Sequence, residues 1–137
     1  MPADFDIRPM VEEHSAMPVK RLRVVRTFEE LRLSAVRRGV VFVFAAWSGP
    51  AILAFQRFTR VMNSMDNCYL DLVVLDTDCL TQDSAVEIFG AQGFFRGGAG
   101  EVVWIRDGRV VAREIARDGS EALLEQHKKE LLDDHKA

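Results

Sequence analysis

Cysteine is scarce in this chain: two in 137 residues, Cys68 and Cys79. Two thiols build no disulfide scaffold, and in a chain without a signal-like start they point to a reducing compartment. Long hydrophobic runs are absent, and none approaches the length of a membrane span. The first residues, MPADFDIRPMVEEH, are acidic and hold no apolar signal core, so the expectation is a cytoplasmic protein away from the membrane. Histidine is sparse as well. His14, His127 and His135 do not cluster with cysteines or carboxylates at a metal spacing, so no metal and no cofactor are assigned. An excess of positive charge is also missing: 18 Lys and Arg against 21 Asp and Glu leave a net charge of -3. That balance argues against a general nucleic-acid binder.

What is present suits one globular domain. The apolar fraction is 48%, and a chain of this length buries roughly two-thirds of its unfolded surface. The organising stretch is Val40–Pro50, VVFVFAAWSGP. Val40 to Phe44 is a short unbroken apolar run, rich in β-branched and aromatic residues, which reads as a strand buried on both faces. Trp47, Ser48 and Gly49 follow as a tight turn carrying an exposed tryptophan. Pro50 then fits the first turn of a helix, where its missing N–H costs nothing. A strand, a turn and a helix N-terminus make up the place where an α/β protein puts its site.

The rest of the chain supports that frame. Residues 1–18 read as a loosely ordered N-terminal extension, because Pro2, Pro9 and Pro18 interrupt regular structure; Phe5, Ile7, Met10 and Val11 are the content from which a short packed helix would form. Residues 20–26 alternate charged and apolar side chains at first and read as an edge strand guarded by basic residues. Thr27 and Glu30 form a capping-box pattern ahead of a helix ending at Gly39. Ala51–Met65 has helix periodicity, with Ala51, Phe55, Phe58, Met62 and Met65 on a core stripe and Arg57 and Arg60 facing away. Residues 69–76 read as a second buried strand, and 80–92 as a helix. Residues 93–100 form a glycine loop without the Gly-Lys-Ser/Thr ending of a phosphate loop. Asp107-Gly108 between two β-rich runs is a strong hairpin signal. A last amphipathic helix begins after Ser120, with Leu123, Leu124, His127, Leu131 and Leu132 on its stripe. The order β-α-β-α-β-α-β-β-α gives an α/β domain over 19–137, with a central mixed sheet flanked by helices.

Trp47-Ser48-Gly49-Pro50-Ala51 resembles the active-site turn of the thioredoxin family, which reads W-C-G-P-C, and the element order from about residue 20 to 134 is similar to the thioredoxin fold. The resemblance places Ser48 and Ala51 at the two cysteine positions. It places Phe42 at the buried strand aspartate, Val74 at the strand lysine, and Gly100 at the cis-proline that lines the peptide groove. Dithiol exchange needs a thiolate and a resolving thiol one helical turn away. With neither present, no dithiol oxidoreductase activity is expected. Cys68 and Cys79 flank the strand at 69–76, about 25 Å apart along an extended chain, too far for a disulfide.

Three functions follow from this reading. The first is a redox-inactive protein-binding module. Its groove would be formed by Trp47, Ser48, Gly49, Pro50, Ala51, Gly98, Ala99 and Gly100, with Phe94 and Phe95 as an apolar rim, and unpaired N–H groups at the helix start would hold a protein or peptide partner. Relatives without the cysteine pair include maturation chaperones, such as those of hydrogenase assembly, and subunits of larger complexes. The second is a single-nucleophile enzyme using Cys79 or Ser48, which would need a base within reach. The third is a structural subunit, or a homodimer, that uses another face such as the basic edge at 20–26.

Overall fold

The structure, a computed structural model, describes residues 7–18, 21–26, 35–46, 48–63, 71–76 and 100–116, together with 122, 124, 126, 129 and 130. Its elements are α1 (Arg8–His14), β1 (Arg23–Val25), β2 (Arg38–Phe44), α2 (Gly49–Asn63), β3 (Asp71–Asp76), β4 (Glu101–Arg106) and β5 (Arg109–Ile115). The helices expected over 27–39 and 80–92 lie outside the described residues, apart from the end of the first.

Five strands form one sheet in the order β1-β3-β2-β4-β5. β1, β3 and β2 run parallel, and β4 and β5 are antiparallel additions. The apolar run at Val40–Phe44 occupies the centre of the sheet, where both faces are covered, and all five of its residues are fully buried. This is why it reads as continuous rather than alternating hydrophobicity. β1 is an edge, as its charge pattern implies, and Arg23 is turned to Asp71 with Nη2 2.8 Å from Oδ2.

Alternation along the strands divides the core in two. Val40, Phe42, Phe44, Leu72, Val74, Val102 and Trp104 face one way, against α2. Val41, Val43, Val73, Leu75, Val103 and Ile105 face the other. α2 lays Ala51, Ala54, Phe55, Phe58, Val61 and Met62 on the first face. Phe42 meets Phe55 and Phe58 with ring centroids 5.2 Å apart, and Phe44 meets Phe55 edge-on at 5.1 Å. Aromatic pairs at this spacing contribute about 0.5–1.5 kcal/mol beyond their area. The expected last helix is represented by helical residues at 122, 124, 126, 129 and 130, and Leu124 is fully buried in the same cluster.

The hairpin forms as its sequence dictates. Asp107 and Gly108 have φ of 52° and 76°, the pair of positive values that a two-residue type I′ turn requires. Their N–H groups donate to the carbonyls of Arg37 and Val36 at 2.7 and 2.8 Å, tying the tip to the start of β2.

The N-terminal segment departs from expectation. Residues 8–14 form a helix, and Ile7, Val11 and Met17 are buried in the main cluster beside Phe55 and Phe58. Pro9 does not break this helix, because it falls in the first turn, where no N–H is needed. The Ala16 N–H donates to Thr59 Oγ1 at 2.9 Å, and the Thr59 hydroxyl donates to the Phe55 carbonyl at 3.0 Å. A fully buried hydroxyl thus fastens the segment to the middle of α2. Phe5 lies outside the described residues.

Candidate binding site

The candidate site lies where β2 ends and α2 begins, at the carboxyl end of the parallel strands. Ser48 is the N-cap of α2. Its hydroxyl accepts from the Ala51 N–H at 3.3 Å, and its carbonyl accepts from the Ile52 N–H at 3.1 Å. This is the ordinary capping arrangement for serine. Ser48 is only 7% exposed.

The cap changes the expectation of several unpaired donors at this helix start. Pro50 has no N–H. Those of Ala51 and Ile52 are engaged by Ser48. Among the described residues, no bond to the Gly49 N–H adds to these in the first turn. What the turn offers is mainly shape and apolar surface. Gly49 and Pro50 are exposed, whereas Ala51 is fully buried. One turn further on, Leu53 is 59% exposed. Among the described residues, a Cβ built at Gly49 meets nothing within 4 Å. Sequence reasoning missed Leu53. Its signal was available: it is a leucine off the Ala51–Phe55–Phe58–Met62 stripe, on the side of Arg57 and Arg60.

Gly100 approaches the site from the sheet. Its φ is +83°, and a Cβ there would stand 2.4 Å from the Ala54 Cβ, so both backbone conformation and space demand glycine. Gly100 is buried, and its carbonyl accepts from the Ala116 N–H at 2.9 Å. The glycine loop read over 93–100 therefore ends in a residue held in place, between α2 and the end of β5; 93–99 lie outside the described residues.

Beneath the turn, Phe42 and Val74 are register partners on adjacent strands, both fully buried. The two positions matched to a charged pair in the resembling family thus face one another as apolar residues. Trp47, Gly98, Ala99, Phe94, Phe95, Cys68 and Cys79 lie outside the described residues. Among the described residues no three His, Cys, Asp or Glu gather as a metal site, and no helix is long and apolar enough to cross a membrane.

No family model and no curated protein matches the sequence. Solved structures do. Thioredoxin from Schistosoma mansoni superposes with a TM-score of 0.58 at 21% identity, covering 80% of this chain and 97% of that one. Thioredoxin O2 from Arabidopsis thaliana gives 0.60 at 18% identity, covering 85% and 98%. The fold is the thioredoxin fold. Thioredoxin from Trypanosoma brucei brucei agrees, with a TM-score of 0.60 at 16% identity over 85% of this chain and 97% of that one. Ser48–Ala51 follows β2 at the carboxyl end of the parallel trio β1, β3 and β2. At these identities the likeness extends to architecture alone.

Proposed function

We propose that this chain is a redox-inactive thioredoxin-fold protein that binds a protein or peptide partner at the start of α2. It would act as a maturation factor or chaperone, of the kind that assists hydrogenase assembly, or as a subunit of a complex. The observation that carries this reading is the first turn of α2. Its serine is a buried cap, and its exposed residues are Gly49, Pro50 and, one turn on, Leu53. The chain's two cysteines, Cys68 and Cys79, lie outside both that turn and α2. A capped serine with an alanine three residues later offers no nucleophile for disulfide exchange and no resolving thiol. An open apolar turn beside a sheet end suits an extended segment of another protein.

The test is affinity capture with and without reductant, comparing the wild-type chain with Gly49→Ala and Gly49→Trp. No described atom lies within 4 Å of a Cβ at Gly49, and a thermal melt of Gly49→Trp checks that the fold is kept. The expected result is a partner held by wild type and Gly49→Ala and lost from Gly49→Trp. A partner held equally by all three moves the contact to another face, such as the basic edge. A partner captured only without reductant assigns the role to a thiol, Cys79 first.

A further inference from the structure

The outer stripe of α2 continues past the site and changes character. Gly49, Pro50, Leu53, Arg57 and Arg60 recur at helical spacing on one side, opposite the buried residues Ala51, Ala54, Phe55, Phe58 and Met62. Its first turn is apolar and its later turns are basic. Arg60 is exposed, and no Asp or Glu occurs in the fifteen residues of α2. Arg57 is held in place by a bond from Nη1 to the Ala116 carbonyl at 3.2 Å. At the far end Arg21 reaches the same helix, with Nη1 3.5 Å from Asn63 Oδ1. The stripe is flanked on one side by α1, where His14 bonds Gln56 at 3.1 Å and Glu13 stands 3.9 Å from His14. That acidic flank gives the surface a polarity across its width as well as along its length. Part of the basic character has a structural reason, since an arginine in the last turn complements the helix dipole. Leu53 lies outside both core clusters and is left 59% exposed beside an exposed proline.

We infer that the α2 stripe selects a partner segment with an apolar anchor followed by carboxylates. The anchor covers Pro50 and Leu53, and the carboxylates meet Arg57 and Arg60. Leu53 and Arg60 are seven residues apart, about 10 Å along the helix axis, so anchor and acid stand about three extended residues apart in the partner. Apolar contact supplies affinity, and the charges set orientation and reject basic segments. The inference rests on the binding reading above and gives the partner's chemistry.

Three fluorescein-labelled peptides test it against the full chain by anisotropy: Leu-Phe followed by four glutamates, Leu-Phe followed by four lysines, and Ser-Ser followed by four glutamates. The expected result is binding of the first alone. That binding should weaken about tenfold with Arg60→Glu or Leu53→Ser, fall as salt is raised, and persist with Arg60→Lys. Thermal melts of each variant separate lost binding from lost fold. Equal binding of the lysine peptide overturns the inference, as does indifference to Arg60→Glu or no binding by any peptide. If the peptides fail while Gly49→Trp still removes a captured partner, the partner's chemistry is misassigned and the site stands. If Gly49→Trp removes nothing, the site itself is wrong.

Discussion

Two glycines at the site predict opposite responses to the same substitution. Gly100 has positive φ and its missing Cβ would strike Ala54. Gly100→Ala should lower stability by about 1–3 kcal/mol, from backbone strain and overpacking together. Gly49 has open space, and its φ is not positive. Gly49→Ala should leave stability unchanged or raise it by up to ~1 kcal/mol through the unfolded chain. Urea denaturation of both variants checks the pair. Ser48 belongs with them. Loss of its capping bond in Ser48→Ala should cost ~1 kcal/mol, and Ser48→Asp, which can still accept from Ala51, should recover most of it. If Ser48→Ala proved harmless to the fold, the hydroxyl would have some role other than capping. The sequence shows a serine before Gly-Pro and leads to an expectation of unpaired N–H groups. It does not show that the Ser48 hydroxyl and carbonyl engage those of Ala51 and Ile52.

At the scale of elements, strands and helices were legible wherever local pattern and tertiary burial agree. The continuous run Val40–Phe44 marks the central strand, the Ala51–Met62 stripe marks the core face of α2, and Asp107-Gly108 marks the hairpin. α1 was legible only as the alternative to a loose tail, because its stability is tertiary. Seven residues do not sustain a helix in isolation; Ile7 and Val11 against α2, with Ala16 bonded to Thr59, hold it. Prolines at 2, 9 and 18 read as breaks, yet Pro9 occupies the one part of a helix that tolerates it. Ile7→Ala should therefore behave as a core substitution and cost about 2–5 kcal/mol, where a loose tail would show no change. Thr59→Val, nearly equal in volume, removes the partner of the Ala16 N–H and should cost about 1–3 kcal/mol. Thermal melts of the two variants measure whether α1 belongs to the cooperative unit.

At the scale of the molecule, the fold places the start of α2 at the end of a parallel sheet, and the proposed reading is that this turn works without thiol chemistry. Sequence carries part of that reading. Ser48 and Ala51 stand where the resembling family has cysteines, and Phe42 and Val74, matched separately to a charged pair, prove to be neighbours in register. Sequence carried the place of Leu53, off the core stripe and on the side of Arg57 and Arg60, but not the degree of its exposure, because a leucine gives the same local signal whether a further element covers that side or not. The consequence is a protein whose function should be indifferent to its own thiols. The most direct measurement is partner capture by a cysteine-free chain, Cys68→Ser with Cys79→Ser, against wild type under reductant. The account predicts the same partner at the same yield from both. Loss of that partner from the cysteine-free chain, with the fold intact by thermal melt, would contradict it and return the protein to thiol chemistry.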